Sequence, residues 1–399
     1  MADKNEPEEI RDVIIIGGGI IGCFTAWHLA QQGQRVLLLE QFNHIPHSWG
    51  SSAGESRCIR KAYIEEGYSE LMKKAYEMWT DFENMTQNKF LWKTGMLLVD
   101  KGDGRNVKPV KDKLDELGYP NTTYSSEDLR KHFPTINFKD HIGLFDHDGG
   151  VLDVHNIFKS LLLLIDKLGG KIQTGVKVQN ICPGTEVTLT TNRGKYRAKK
   201  VVLTTGPWTA DITKSLELSL PLRVKAATVW FWKEKKFGSY SLDTGFPVFA
   251  DYNIESWNDF IYAVPCYEYP NMLKLHMHHT IEHSIHPDYR DAQVGEAVAK
   301  ITKKLTAYVR EHFPYLEEEP SIVQRCMTTM TPDYDFILDK HPMWDNIVIG
   351  AGFSGHGFKL SPLIGKLLAN MVLEKPITID MKPFKISRFQ KATWKFSKL

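Results

Sequence analysis

Three glycines near the start of the chain have the spacing of a phosphate-binding turn. Gly17, Gly19 and Gly22 form a GxGxxG pattern between the apolar residues 13–16 and a segment of helical character. Gly17 lets the chain turn off a strand, Gly19 lets a pyrophosphate approach the backbone, and Gly22 lets the helix lie close to the sheet. The phosphates then bind unpaired N–H groups at the helix N-terminus. The pattern predicts a dinucleotide cofactor.

Glu40 indicates which dinucleotides suit this turn. It follows a second apolar segment, residues 36–39. A carboxylate there accepts hydrogen bonds from both hydroxyls of an adenosine ribose, whereas a 2′-phosphate would be repelled. FAD or NAD is therefore favoured over NADP, and the fingerprint alone leaves both open. Either cofactor brings redox chemistry that no side chain performs.

A second glycine-rich segment follows residues 346–350, which are predicted to form a buried strand. Gly352, Gly355 and Gly357 indicate another close approach of the backbone to a ligand, before a helix whose N-terminus stabilises negative charge. Lys359 lies just beyond these glycines. It is either a cation for a substrate or cofactor, or a solvated surface lysine, and the residue types leave both readings open.

Two kinds of sheet are needed to position these residues. Alternating apolar and helical segments around the glycine turns predict a parallel, Rossmann-like sheet, whereas β-branched and aromatic runs between residues 222 and 315 predict an antiparallel sheet over the reactive end of the cofactor. The fold class is therefore α/β, with an α+β substrate domain. Helices are predicted at 64–88, 108–117, 154–168, 294–313 and 361–373. Strands are predicted at 12–16, 36–40, 91–100, 171–181, 186–191, 199–205, 227–232, 260–265, 272–278 and 346–350.

The predicted domains interleave along the chain, because both ends and a middle portion contribute to the cofactor domain. A prior of roughly 150 residues per domain makes two or three compact units the expectation. The discontinuous cofactor-binding domain comprises residues 1–88, 145–215 and 320–390. The substrate domain comprises residues 89–144 and 216–319, and the C-terminal tail comprises residues 391–399.

Composition favours small molecules as partners. The net charge is +2, from 50 basic and 48 acidic residues that are interspersed, so there is no reason to expect nucleic acid binding. The longest apolar run, residues 161–165, is far shorter than the roughly 20 residues that cross a bilayer. Five widely spaced cysteines match neither a disulfide framework nor a zinc site, and they are interpreted as reduced thiols.

The last three residues carry a targeting signal. Ser397-Lys398-Leu399 is the tripeptide that the peroxisomal import receptor reads. A polar tail before it would keep the signal accessible. The sequence thus predicts a peroxisomal protein with the import receptor as a partner.

Further motifs extend over nearly the whole chain. They are the N-terminal GGGIIG, the segment GSSAGESR at 50–57 with Arg60, the Gly206-Pro207-Trp208 turn, the Cys326-Met327 pair and GAGFSGHGFK at 350–359. With them the chain resembles the monomeric sarcosine oxidase family, most closely its peroxisomal sarcosine and L-pipecolate oxidases. The resemblance implies FAD, a glycine/D-amino acid oxidase-like fold and a monomer.

The resemblance also implies how cofactor and substrate are held. Cys326 matches the cysteine that forms a thioether to the 8α-methyl group of FAD in this family. Arg60 and Lys359 match the two cations that hold the substrate carboxylate, for which an arginine fork and a lysine charge are suited. Tyr262 aligns with a tyrosine that lines the substrate pocket.

Three further residues match positions around the flavin ring. Lys274 matches a lysine near flavin N5 that promotes reaction with oxygen, and His278 matches an active-site histidine. Strand alternation puts both on one face together with His276, which lacks a family match and is interpreted as structural. Arg57 matches an arginine beside the ring, where it either tunes the flavin or braces its loop. Ala53 departs from the family, since some members carry histidine there.

These expectations combine into one reaction. The resemblance implies a flavoprotein amine oxidase that converts a secondary α-amino acid, sarcosine or L-pipecolate, to an imine and reduces O₂ to H₂O₂. The alternatives are a flavin-dependent dehydrogenase with another electron acceptor, an oxidase of L-proline or of D-amino acids, and a non-catalytic cofactor-binding protein.

Overall fold

The computed structural model describes residues 10–61, 63–65, 67–252, 260–277, 284–292 and 295–389. The helices among them are α1 (Ile20–Gln31), α2 (Tyr68–Thr86), α3 (Lys108–Glu116), α4 (Ser126–His132), α5 (Val154–Lys167), α6 (Thr209–Ile212), α7 (Gly295–His312) and α8 (Gly357–Leu373). No helix in these ranges is long and apolar enough to cross a membrane.

The strands of the described residues form three sheets. Those of the first sheet are β1 (Arg11–Ile16), β2 (Val36–Leu39), β9 (Lys171–Gln173), β10 (Val178–Cys182), β11 (Val187–Thr191), β12 (Gly194–Leu203), β18 (Ile337–Lys340) and β19 (Ile347–Ala351). Those of the second are β5 (Met96–Lys101), β6 (Asn121–Tyr124), β7 (His141–Asp146), β13 (Arg223–Lys233), β14 (Val248–Asp251), β15 (Ile261–Pro265), β16 (Met272–Met277) and β17 (Ile322–Met330). The small third sheet comprises β3 (Arg57–Ile59), β4 (Leu91–Trp92) and β8 (Gly150–Leu152).

The first sheet is parallel at its centre. β1 pairs in parallel with β2 on one side and with β12 on the other, and β19 continues the parallel order beyond β12. Val13 and Ile15 pack into the core under the helices, while Ile14 and Ile16 pack into a second core on the opposite face. Both faces of β1 are therefore covered, which explains its continuous apolar run.

The second sheet is antiparallel except where β14 meets β5. Alternation along β16 divides its side chains between two faces. Leu273 and Leu275 join the core that includes the apolar face of α7, whereas Lys274 and His276 point the other way and line a large cavity. The polar face of the second sheet therefore points toward the end of the first, parallel sheet.

Several predicted elements have different bounds in the structure. The segment predicted as one strand at 91–100 is split into β4 and β5 by Gly95, whose φ is +78°. The segment at 171–181 is likewise divided into β9 and β10. α8 begins at Gly357, so Pro362 lies inside the helix instead of near its start. Because Pro362 is the sixth residue of α8, the N–H that it lacks would otherwise donate to the Phe358 carbonyl within the helix.

The predicted fold class, α/β with a parallel sheet and a separate antiparallel sheet, is confirmed. The domain bounds remain a prediction. β17, which lies in the range 320–390 assigned to the cofactor domain, pairs along its whole length with β13 of the antiparallel sheet.

Candidate active site

The glycine turn after β1 has no room for side chains. Gly17 has a φ of +104°, and a Cβ atom there would lie 2.4 Å from the carbonyl oxygen of Thr204. A Cβ atom at Gly22 would lie 2.0 Å from the carbonyl oxygen of Gly17. Gly19 is the residue before α1, and it lines the cavity together with Ile20 and Ile21 of the first turn of that helix. The turn therefore leaves a cradle of backbone against which a phosphate fits.

Glu40 is buried at the end of β2, with 3% of its surface exposed. Its carboxylate accepts hydrogen bonds from the Gly18 N–H at 2.8 Å and the Phe42 N–H at 2.9 Å. Burial raises the pKa of this carboxyl group. His47 lies 3.7 Å from Glu40, its pKa is lowered to about 4 by burial, and its buried Nδ1 atom has no hydrogen-bond partner among the described residues. The hydroxyl groups of a ribose beside these two side chains would form hydrogen bonds with the Glu40 carboxylate and the His47 Nδ1 atom.

One cavity of about 1070 Å³ joins the glycine turn to the antiparallel sheet. Its volume is at the upper end of the range for small-molecule sites, roughly 300–1,000 Å³. The sequence-predicted residues that line it are Gly17, Gly19, Glu40, Arg57, Arg60, Tyr262, Lys274, Cys326, Gly355, Gly357 and Lys359. The cradle, the buried Glu40 and the extent of the cavity fit an FAD molecule with room for a small substrate.

Arg60 and Lys359 share one aromatic ring at the end of the cavity. The guanidinium carbon of Arg60 lies 4.9 Å and the Lys359 ammonium 5.6 Å from the centre of the buried Tyr63 ring. Arg60 also donates a hydrogen bond to the Tyr252 hydroxyl at 3.1 Å, and Lys359 donates to the Gly355 carbonyl at 3.3 Å. Within the described ranges neither cation has a carboxylate partner. The pair is therefore poised to bind an anion.

Lys274 is held by the loop of residues 50–57. Lys274 is 2% exposed, and its ammonium donates to the carbonyl oxygens of Gly54 at 2.7 Å, Glu55 at 2.9 Å and Ser56 at 3.1 Å. Burial, and next the charge of Arg57, lower the pKa of Lys274 to about 7. The amine therefore changes its charge near neutral pH.

Arg57 braces the same loop, which is one of the two roles considered from the sequence. Its guanidinium donates to the carbonyls of Gly54 at 2.5 Å and Glu55 at 2.9 Å. It also donates to the carbonyls of Ser51 at 2.8 Å and Ala53 at 2.5 Å. These contacts fix the path of the loop beside the cavity.

Cys326 and Tyr262 reach the cavity from the antiparallel sheet. Cys326 is half-buried on β17 opposite Ala227, and burial raises the pKa of its thiol. Tyr262 on β15 is paired with His276 on β16, with 5.2 Å between the ring centres. Burial raises the pKa of the Tyr262 hydroxyl.

The glycines of the second turn differ in how closely their surroundings approach them. A Cβ atom at Gly352 would lie 2.5 Å from the Thr331 side chain, and one at Gly357 would lie 2.9 Å from the Phe353 side chain. Gly355 has a φ of +87° with open space around it. Gly352 and Gly22 support the turns without lining the cavity.

Sequence reasoning ranked some cavity residues too low. His276, interpreted as structural, donates a hydrogen bond from Nδ1 to the Thr228 carbonyl at 2.5 Å and also lines the cavity. Tyr252 and Cys58 line it without having been singled out. The same alternation that selected Lys274 contained the signal for His276. His278 lies outside the described residues.

The comparisons with known proteins agree with this geometry. The model of the FAD dependent oxidoreductase (DAO) family matches residues 12–371. The chain belongs to this family. It is 40% identical to the peroxisomal sarcosine oxidase of Homo sapiens over 383 residues, which are 96% of this chain and 97% of that protein. It is 32% identical to the monomeric sarcosine oxidase of Bacillus sp. (strain B-0618), covering 94% of this chain and 96% of that one.

Solved structures share the fold of this FAD dependent oxidoreductase. NikD, an unusual amino acid oxidase essential for nikkomycin biosynthesis, superposes with a TM-score of 0.84 at 24% identity, covering 94% of this chain and 97% of that one. Glycine oxidase from Geobacillus kaustophilus has a TM-score of 0.79 at 18% identity, covering 95% and 98%. The family model and the sarcosine oxidase relatives confirm the family resemblance drawn from the motifs. The chain is a flavin oxidoreductase of the sarcosine oxidase type that acts on amine donors.

Proposed function

We propose that this enzyme oxidises a secondary α-amino acid, sarcosine or L-pipecolate, to an imine and reduces O₂ to H₂O₂. The observation that carries the proposal is the pair of cations, Arg60 and Lys359, on the Tyr63 ring in the cavity that fits FAD. Both lack a carboxylate partner among the described residues, so the substrate supplies one. An amino acid is the amine donor that brings a carboxylate with it.

The two cations orient the substrate as well as binding it. An arginine fork donates two hydrogen bonds to a carboxylate in a fixed plane, and the Lys359 charge adds a second attachment point. Tyr262 and His276, which lie on β15 and β16, bound the space next to this anchor. A substrate held at its carboxylate therefore presents its Cα and nitrogen in one orientation, which favours a near-attack geometry.

The FAD site is built from the glycine turn, Glu40 and Cys326. Gly17 and Gly19 would hold the pyrophosphate and Glu40 the ribose, as their positions on the cavity wall support. FAD, when bound, supplies the two-electron redox chemistry, taking electrons from the amine and passing them to O₂. The fold needs only to hold the ring and the substrate together and to exclude water.

Lys274 supplies the charge for the oxygen reaction. The ammonium is buried at the cavity wall and fixed by three carbonyls. A preorganised cation in a site shielded from water stabilises negative charge that develops on oxygen. This feature favours an oxidase over a dehydrogenase that passes electrons to another acceptor.

Peroxide release tests the reaction. The purified enzyme is supplied with sarcosine, L-pipecolate, L-proline or a D-amino acid, and oxygen consumption and H₂O₂ are measured together. We expect one H₂O₂ for each O₂ consumed with sarcosine or L-pipecolate. Flavin reduction without oxygen consumption would instead identify a dehydrogenase, and turnover of D-amino acids alone would assign a different substrate class.

Cys326 is the proposed site of covalent flavin attachment, through a thioether to the 8α-methyl group. Its place on the cavity wall supports this. We expect acid precipitation of the wild-type protein to leave the yellow colour in the pellet, whereas Cys326→Ser releases it into the supernatant. Cys58→Ser, which changes another cavity cysteine, is the control and should keep the colour in the pellet. Colour in the wild-type supernatant would contradict the linkage.

The proposed location is the peroxisome, reached through the import receptor, and the proposed state is a monomer. Ser397-Lys398-Leu399 supports import, and a peroxide-forming reaction suits that compartment. A fluorescent protein fused to the N-terminus should be found in peroxisomes, and deletion of the three residues should disperse it. Lys395→Ala in the same tail is the control. Peroxisomal fluorescence after the deletion would contradict the assignment.

A further inference from the structure

The loop of residues 50–57 directs its carbonyl oxygens at two cations. The carbonyls of Gly54 and Glu55 each accept hydrogen bonds from both Arg57 and Lys274, and the Ser56 carbonyl accepts one from Lys274. A buried ammonium and a half-buried guanidinium are thus held on the same carbonyl oxygens. Carbonyl dipoles offset part of the repulsion, but such an arrangement also calls for a nearby negative charge.

The loop has an unusual backbone at the point where it holds Lys274. Gly54 has a φ of +112°, and Glu55, which is not a glycine, has a φ of +42°. Left-handed conformations at non-glycine residues persist only where the surroundings enforce them. A contact close to Glu55 must therefore hold this turn in place.

Glu268 makes that contact. It lies in the turn between β15 and β16, and its two carboxylate oxygens accept the Ser56 N–H at 3.0 and 2.9 Å. One of them also accepts the Ser56 hydroxyl at 2.6 Å, and that hydroxyl accepts the Tyr267 N–H at 3.0 Å. The turn of the hairpin that carries Lys274 is thereby tied to the loop that binds its ammonium.

We propose that Glu268 is a positioning residue for Lys274: it fixes the carbonyls of residues 54–56 around the ammonium and supplies the negative charge that keeps it protonated. The inference deepens the proposed function and rests on the role of Lys274 in the oxygen reaction. Glu268 itself acts through Ser56, so it needs no contact with substrate or oxygen.

The charges around Lys274 determine whether its pKa rises or falls when Glu268 is replaced. Glu268 and Glu55 favour the ammonium form, and Arg57 opposes it. The pKa of Lys274 is about 7, so loss of one negative charge lowers this pKa and moves deprotonation to lower pH. The titratable groups that face Lys274 are Arg57, Glu55, Cys58, Cys266, Glu268 and Cys326.

Glu268→Gln tests the charge with little change of shape, and Glu268→Asp keeps the charge. The rate of reaction of the reduced enzyme with O₂ is measured against pH, and the absorbance of the oxidised flavin is titrated in parallel. We expect both midpoints in Glu268→Gln to fall by about one pH unit, which slows the oxygen reaction about tenfold above the midpoint. Glu268→Asp should restore the midpoint.

Glu234→Gln is the matched control. Glu234 is a buried carboxylate of the antiparallel sheet region, whereas Glu268 is half-buried. Glu234 accepts the N–H groups of Ser239 at 3.1 Å and Tyr240 at 3.0 Å. Its loss should lower stability without moving either midpoint. A midpoint unchanged in Glu268→Gln would overturn the proposal, as would an equal shift in Glu234→Gln.

Lys274→Met separates failure of this inference from failure of the proposed function. The absorbance titration should be lost in Lys274→Met, which assigns it to this amine without reference to oxygen. If Lys274→Met reacts with O₂ as fast as the wild type, the oxidase role of Lys274 fails, while the absorbance midpoint of Glu268→Gln still tests the positioning role. Absence of a Lys274-dependent titration in the wild type would also overturn the inference.

Discussion

Lys274→Met should slow the reaction of the reduced enzyme with O₂ by at least about 100-fold, since it removes the one buried ammonium that three carbonyls fix at the cavity wall of the described structure. Methionine retains much of the volume of the side chain but supplies no charge. Reduction of the flavin by substrate in the absence of oxygen should change by less than about threefold, because Lys274 does not hold the substrate carboxylate in this account.

The two half-reactions are measured separately by stopped flow. Anaerobic mixing with substrate gives the reduction rate, and mixing the reduced enzyme with oxygenated buffer gives the oxidation rate. Lys233→Met, which removes an exposed lysine at the end of β13, is the control and should leave both rates unchanged. If Lys274→Met reacts with oxygen as fast as the wild type, Lys274 has no role in the oxygen reaction.

Arg60→Met should weaken substrate binding by about 100-fold, corresponding to ~3 kcal/mol, because it removes a buried charge-assisted contact to the carboxylate. The second cation, Lys359, remains beside the Tyr63 ring and accounts for residual binding. Arg60→Lys should recover only part of the affinity, since an ammonium lacks the planar fork of a guanidinium.

The dissociation constant is obtained from the substrate dependence of anaerobic flavin reduction. An amine of the same size that lacks the carboxylate, N-methylethanolamine, is the control ligand. N-methylethanolamine should bind equally weakly to the wild type and to Arg60→Met. The preference for sarcosine over this amine should therefore be smaller in Arg60→Met than in the wild type. An unchanged dissociation constant for sarcosine would place the carboxylate elsewhere.

The cofactor half of the fold is well predicted by local sequence patterns. A continuous apolar strand, a glycine turn and a helix are encoded within about 30 consecutive residues, so the β1–α1–β2 unit follows from nearest-neighbour rules. The paired strand β12 was also expected, because it ends in a glycine turn like that after β1. The predicted bounds of strands and helices are less accurate at Gly95, which divides one predicted strand, and at Pro362, where the helix begins earlier than predicted.

The surroundings of Lys274 were beyond what the sequence alone predicts. Alternation places this lysine on the polar face of β16, but the carbonyls that bind it come from a loop more than 200 residues away. Main-chain acceptors carry no residue-type signal, so their convergence on Lys274 is visible only in three dimensions. The same holds for Glu268, whose partner Ser56 is 212 residues distant in sequence.

The central claim, that this flavoenzyme takes electrons from a secondary α-amino acid held by Arg60 and Lys359, is tested most directly by anaerobic mixing. The wild-type holoenzyme and Arg60→Met are mixed with sarcosine or L-pipecolate while the visible absorbance of the flavin is followed. The account predicts complete bleaching of the wild type by at least one of the two, with about 100-fold more substrate needed for Arg60→Met. Flavin that stays oxidised in the wild type with both amino acids would contradict it.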